Sequence, residues 1–353
     1  MQFSDIRHRV AGMIDEARTV DPSSPFYVSR FWSECLVYFN YVRELSDAEL
    51  QYIRTHTSFI TGAVWFHWAY QPVRLAGTDE EREAIPLIQL YRGLTAQLPE
   101  EFWADEPVPN EPTRRVGLPY RGRLISDDIV RYQRAITNLY NAGLLRSARD
   151  GDRRSFFEIG AGYGGLAHQL RRMIDAGAAY VIVDLPEMLF WSAVFLRLNN
   201  PTRRIYLYDP ASFEAAQLDQ ILESHDFVLL PHYLLERMTT FPTINVAINT
   251  LSMQEMLDAQ VRAYCDFLTR HLRGWFYSEN FARHVSNAEL TADLFDIFVE
   301  YFRMLPAGKL SEHLQQPPDP WRMYSYLATP KGQPAEYTPI RRMLIGSNYA
   351  LAI

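Results

Sequence analysis

Cysteine is scarce in this chain: Cys35 and Cys265 are the two among 353 residues. Two thiols cannot build a disulfide framework, so a hydrophobic core must hold the fold. With no secretory signal at the N-terminus, a reducing cytoplasm is expected. No apolar run approaches the roughly 18 residues that span a bilayer. Positive charge is also in short supply. The formal net charge of −7 excludes a broad nucleic-acid or anionic-membrane surface. No H-x-x-H pair or acidic triplet marks a metal site, so no metal is expected. The chain shows no internal repeat and no long low-complexity tract.

What is present is ordinary globular composition, 48% hydrophobic and 22% charged, with 14% aromatic residues. A chain of this length can bury a large core and is expected to hold two domains. A helical domain over 1–125 is expected to supply a dimer surface, part of an acceptor pocket, or both. A cofactor domain is expected over 126–353. In the first part, Phe31-Trp32, Leu36, Tyr38-Phe39 and Tyr41-Val42 form one dense apolar segment, and residues 59–70 form a second. His56 and His67, among these aromatics, read as packed residues. Residues 99–122 carry Pro99, Pro107, Pro109, Pro112 and Pro119 and read as an extended connector. Its Tyr120–Arg123 end reads as a surface loop, or as a flap closing over a site. Ser126 caps a following helix whose apolar face is Ile129, Ile136, Leu139 and Tyr140.

From 155 onward strands and helices alternate, the pattern of a parallel sheet covered on both faces. The pivotal stretch is Phe156-Phe-Glu-Ile-Gly-Ala-Gly-Tyr-Gly-Gly-Leu166. It reads as a buried strand, a glycine turn and a helix start, with Leu166, Leu170, Met173 and Ile174 on one helical face and Gly177 as its stop. Glycines allow a ligand close to the backbone, and free amides at a helix start attract negative groups. Gly160, Gly162 and Gly165 fit the dinucleotide fingerprint G-x-G-x-x-G. Glu158, Gly160, Gly162 and Gly164 equally fit acidic-x-G-x-G-x-G, the S-adenosylmethionine loop. A carboxylate at Glu158 suits an ammonium and would repel a pyrophosphate. A second strand, 179–184, ends in Asp184, well placed for ribose hydroxyls. Runs at 204–209 and 226–231 both qualify for the third position. Asp209 at the end of the first reads either as an adenine contact or as a turn residue. Strands at 244–249 and 274–281 follow, and the tail runs at 343–345 and 349–353 read as antiparallel edge strands.

Three blocks together resemble the sugar O-methyltransferase family of class I S-adenosylmethionine-dependent methyltransferases: residues 157–167, Tyr180-Val-Ile-Val-Asp-Leu-Pro-Glu187, and Ile248-Asn-Thr-Leu-Ser-Met-Gln-Glu-Met256. The resemblance covers about residues 125–285, with Arg131-Tyr132 in the helix before the glycine loop, and leaves the first 120 unmatched. It implies a Rossmann-like α/β class I methyltransferase fold, mostly parallel with an antiparallel C-terminal edge. It implies S-adenosyl-L-methionine as cofactor, with Gly160, Gly162 and Gly164 at the cofactor and Asp184 on its ribose; Glu158, Tyr163, Leu185, Asp209, Asn249 and Thr250 are the further candidates for its contacts. It also implies methyl transfer to a hydroxyl of a sugar or a glycosylated small molecule in a homodimeric enzyme. Such an acceptor must lose its proton as the bond forms, which calls for a general base. The histidine that plant-type O-methyltransferases carry after the fourth strand is missing near Ser252. Glu255 is the nearest strong alternative, with Ser252 and Gln254 as acceptor-binding partners; equally, Glu255 fits a helix-start carboxylate. Glu279, Asn280, His284 and His232 lie near strand ends, and His313 precedes a Pro-rich segment. A carboxylate, phenol or polyketide hydroxyl acceptor, and a non-catalytic cofactor-binding partner protein, are the competing readings.

Overall fold

The structure, a computed structural model, describes residues 1–57, 60, 77–109, 111, 114–145, 155–174, 179–283, 286–306 and 323–332. Nine helices of seven or more residues are used below: α1 (Phe3–Ala17), α2 (Arg30–Phe39), α3 (Pro86–Thr95), α4 (Asp127–Asn141), α5 (Gly165–Met173), α6 (Pro186–Asn199), α7 (Leu218–Ser224), α8 (Asp258–His271) and α9 (Leu294–Tyr301). The strands are β1 (Leu118–Tyr120), β2 (Arg123–Ile125), β3 (Phe156–Ile159), β4 (Tyr180–Asp184), β5 (Ile205–Leu207), β6 (Phe227–Pro231), β7 (Ile244–Thr250), β8 (Leu272–Phe281), β9 (Phe302–Pro306) and β10 (Met323–Pro330).

Eight strands form one sheet in the order β5-β6-β4-β3-β7-β8-β10-β9. Pairing is parallel from β5 through β8, and antiparallel where β10 joins β8 and β9. Every residue of β3, β4 and β6 is buried, as parallel strands covered on both faces require. The chain leaves β3 towards β4 and later returns to β7 on its other side. Right-handed crossovers therefore put α5 and α8 on opposite faces, and the β3/β7 boundary is the point where strand order reverses. Ligands in such sheets bind there, outside the carboxyl ends of the strands.

Two positions left open in the sequence are decided by this order. β6 lies beside β4, and β5 sits outside it at the sheet edge. The expected antiparallel edge is present, built by β9 and β10; the runs at 343–345 and 349–353, like Gly177 and His67, lie outside the described residues. Residues 118–125 are neither connector nor flap. Leu118–Tyr120 pairs with Arg123–Ile125 as a two-stranded hairpin, and none of it lines the cavity described below.

The N-terminal helices are tied to the sheet layer. α1 packs along α6, the Tyr233 hydroxyl donates to the Met13 carbonyl at 3.1 Å, and Arg197 donates to the Met1 carbonyl at 3.2 Å. Ser126 caps α4 by accepting from the Ile129 amide at 3.1 Å. Ser29 caps α2 in the same way, from Trp32 at 3.2 Å, and this cap aims the start of α2 at the carboxyl ends of the strands. No helix among the described residues is long and apolar enough to cross a membrane.

Candidate active site

A cavity of about 400 Å³ opens at the switch point, within the range of small-molecule sites. Its floor comes from the carboxyl ends of the strands: Glu158 of β3 and the glycine loop behind it, Asp184 of β4 with Leu185, His232 after β6, Thr250 of β7 with Leu251, Ser252 and Gln254 to Met256, and Glu279 and Phe281 on β8. Its roof comes from Phe31, Trp32, Cys35 and Phe39 of α2, with Arg131, Tyr132 and Ala135 of α4 on one side and Tyr264 of α8 on another.

The loop is open because two residues have no side chain. Gly160 and Gly162 take φ of 70° and 57°, a left-handed conformation that other residues enter at a cost. A Cβ on Gly160 would collide with the Ser252 side chain. Asp184 holds the loop from the neighbouring strand: its carboxylate accepts from the Gly162 amide at 2.9 Å and the Leu185 amide at 2.8 Å. Leu251, beside Gly160's neighbour Ser252, has φ 56°. Such backbone strain costs about 1–3 kcal/mol and clusters at functional sites.

Three acids in this cavity hold their protons unusually tightly. Burial pushes the Glu158 carboxyl up to about 8, although the Tyr180 hydroxyl donates to it at 2.8 Å. Burial raises Asp184 to about 7 against the pull of its backbone amides. Burial, reinforced by the charge of Asp184, raises Glu255 to about 8, with Arg131 working the other way. His232 moves down to about 4, again through burial, so its imidazole is neutral.

The sequence-predicted residues divide clearly. Glu158, Gly160, Gly162, Tyr163, Asp184, Leu185, Thr250, Ser252, Gln254 and Glu255 all line the cavity. Gly164, Asn249 and Asp209 do not. Gly164 faces α6, where a Cβ would stand 3.2 Å from Leu196 and Ser192. Asn249 is fully buried; its amide donates to the Ile159 carbonyl at 2.8 Å and its oxygen accepts from Asn280 at 2.8 Å. Asp209 follows edge strand β5, accepts from the Ala211 amide at 3.1 Å and stands 3.9 Å from Arg9. It is a turn residue, because β6 rather than β5 takes the place beside β4.

The proposed acceptor-binding partners are also committed elsewhere. The Ser252 hydroxyl donates to the Ile159 carbonyl at 3.1 Å and accepts from Asn249. The Gln254 oxygen accepts from the Phe281 amide at 2.7 Å. Glu255 differs from both: its side chain makes no hydrogen bond or ion pair with the described residues, and it faces the cavity. Glu279 also lines the cavity but accepts from Tyr277 at 2.6 Å and Ser325 at 3.0 Å. Asn280 turns away, and His284 and His313 lie outside the described residues. No group of three potential ligands stands together as a metal site among the described residues.

The aromatic run of α2, visible in the sequence as one dense apolar segment, lines the cavity through Phe31, Trp32 and Phe39. Arg131 and Tyr132 had been marked as part of a family block without a role.

No protein-family model and no curated protein matches the chain. Among solved structures it is similar to magnesium protoporphyrin IX methyltransferase from Synechocystis with bound S-adenosylmethionine, at 13% identity over 72% of this chain and 97% of that one, TM-score 0.34. It is similar to a TehB-like S-adenosylmethionine-dependent methyltransferase from Corynebacterium glutamicum, at 10% identity over 57% and 97%, TM-score 0.35. A third similar structure is precorrin-6y C5,15-methyltransferase from Geobacter metallireducens, at 12% identity over 53% and 87%, TM-score 0.32. The assignment of the fold rests on strand order, the switch point and the glycine loop of this chain itself, and together these make it a Rossmann-like class I methyltransferase fold.

Proposed function

We propose that the protein is an S-adenosylmethionine-dependent methyltransferase that methylates a hydroxyl oxygen of a sugar or glycosylated small molecule. The observation that carries the oxygen chemistry is Glu255: an acid whose side chain has no hydrogen-bond or ion-pair partner among the described residues and which lines the same cavity as the glycine loop.

The chain's residues fit the cofactor. Glu158 is a buried acid at the mouth of the loop, suited to an ammonium. Gly160 and Gly162 leave the backbone open. Asp184 keeps lone pairs for ribose hydroxyls while it holds the Gly162 amide. When bound, the cofactor supplies a methyl group already activated by a positively charged sulfur. Glu255 then has one task, to accept the proton of the acceptor hydroxyl. Its raised proton affinity matches a base that works near neutrality. The aromatic side chains of α2 line the cavity beside Glu255 and offer apolar surface to the acceptor. Ser252 and Gln254 support the loop and β8 rather than bind the acceptor.

The acids in the cavity disfavour the carboxylate acceptor, which would bring a further negative charge among them. A phenolic or polyketide hydroxyl is the second reading, and the ring faces of Phe31, Trp32 and Phe39 favour it.

Calorimetry with S-adenosylhomocysteine, and with NAD as control, tests the cofactor. Micromolar binding of the first and none of the second is expected, followed by a product 14 mass units heavier (about one methylene, as a methyl replaces a hydrogen) from a hydroxylated acceptor. Binding of NAD alone, or of neither, overturns the proposal.

A further inference from the structure

The cavity's charge is lopsided. Glu158, Asp184, Glu255 and Glu279 all face it, and among the described residues the single cationic side chain in its lining is Arg131. Arg131 is already paired with Asp128. Arg134, outside the lining, stands 3.5 Å from Glu279, and His232 is neutral. Glu158 and Asp184 belong to the cofactor end. That leaves Glu255 and Glu279 at the acceptor end, framed by the rings of Phe31, Trp32, Phe39 and Phe281. Carboxylates set among aromatic faces are the surroundings that hold an organic cation, because the ring face is itself electronegative. We propose that the acceptor end is a cation-selective site, built for a hydroxyl compound that carries a protonated amine and closed to anionic acceptors.

The high proton affinity of Glu255 follows the same physics. Half-buried near Asp184, it gives up its proton reluctantly until a positive charge joins it. An amine cation keeps it ionised and so free to accept a proton. What happens to the bound hydroxyl rests on the methyl-transfer reading; the charge preference does not.

Cys35 is a built-in reporter of that preference. It lines the cavity, and its thiol is pushed up by burial and then by Glu255 and Glu34. The other thiol, Cys265, is fully buried. Matched methanethiosulfonates carrying a trimethylammonium or a sulfonate group would be reacted with the whole protein. Modification of Cys35 is followed by mass spectrometry and each rate is divided by that of a free thiol. The cationic reagent is expected to react at least tenfold faster than the anionic one. Thiolate ionisation cancels in the ratio, so the ratio should rise between pH 6 and 9 as Glu255 ionises. It should fall at least threefold in Glu255→Gln and hold in Glu34→Gln. A ratio near one, a ratio that follows Glu34 instead, or a Cys35 that resists both reagents overturns the proposal. Calorimetry separates the two readings. Binding of S-adenosylhomocysteine with a ratio near one sinks the cation site alone. A steep ratio without that binding sinks methyl transfer and leaves the cation site standing.

Discussion

The side chain of Ser252 fills the space that a Cβ on Gly160 would need, and its hydroxyl donates to the Ile159 carbonyl at 3.1 Å, one residue before that glycine. The two loops over the cavity, one after β3 and one after β7, are therefore a single fitted unit. Gly160→Ala brings a steric collision and a left-handed backbone that alanine resists. Gly162 is different: a Cβ there would touch only Ile60, at 3.5 Å, while a long side chain would run into the cavity. Gly162→Arg is expected to weaken S-adenosylhomocysteine binding at least 100-fold with a modest fall in melting temperature from its own left-handed backbone, whereas Gly160→Ala, which adds a collision to the same strain, should lose both. Calorimetry and thermal denaturation of the two variants check this; undiminished binding in Gly162→Arg would remove the loop from the cofactor site.

Glu255 should dominate the pH profile. A base must be deprotonated to act, and burial lifts this carboxyl to about 8. The ratio kcat/KM, which follows the groups of the ligand-free enzyme, is expected to rise with pH up to that region and then level off. Glu255→Gln should lower kcat by about 10²–10⁴-fold, the usual contribution of general base catalysis, and abolish the rising limb while leaving cofactor affinity within a few-fold. If the limb survives in the Gln variant, another group takes the proton.

What the sequence made legible was local. The glycine turn, the acid at the end of β4 and the strand–helix alternation are each written in a few consecutive residues, and the structure places them as read. Asp209 stays open in the sequence between an adenine contact and a turn residue because the place of a strand in a sheet is decided by non-local pairing, and β6 inserts between β4 and β5. Asn249, Ser252 and Gln254 show a second limit. Their types and spacing are right for ligand binding, and the structure adds that each places a polar atom on the backbone of Ile159 or Phe281. Only packed neighbours reveal that. The roof of α2 lies more than a hundred residues ahead of the loop it covers, so no local pattern connects them.

Glu158 ties stability to pH. An ordinary carboxyl titrates near about 4.3, while this one, once folded and buried, holds its proton to about 8. Between those values the folded protein keeps a proton that the unfolded chain has lost. The associated stability is full below about pH 4.3 and is lost as pH rises through 8. Asp184 and Glu255 add shifts of the same sign. The ligand-free protein should therefore melt at progressively lower temperature from pH 5 to 8, and Glu158→Gln should flatten that slope while weakening cofactor binding. Binding of S-adenosylhomocysteine near pH 7, by bringing an ammonium to the acid, should release protons. Calorimetry in buffers of different ionisation enthalpy reads this directly, and equal heats in all buffers would contradict the pairing.

Arg54 links the N-terminal segment to the loop through buried charge. Its guanidinium donates to Glu106 at 2.9 Å and to Asp128 at 2.9 Å, and lies 4.7 Å from the centre of the Tyr163 ring. Asp128 in turn holds Arg131, which faces the cavity. Glu106 and Asp128 are each about 1% exposed, so removing their shared cation strands Glu106 in a low-dielectric interior and leaves Asp128 to Arg131 alone. Arg54→Met is expected to cost about 3–5 kcal/mol, as breaking a buried pair does, and to weaken cofactor binding because Tyr163 loses its cover. Arg54→Lys keeps the charge but not the forked geometry that meets Glu106 through two nitrogens, so it should recover less than half of the loss. Chemical denaturation, run beside S-adenosylhomocysteine calorimetry, separates the two effects. A lysine variant as stable as the parent would mean that charge alone, not the planar fork, holds this junction, and unchanged affinity in the methionine variant would uncouple it from the site.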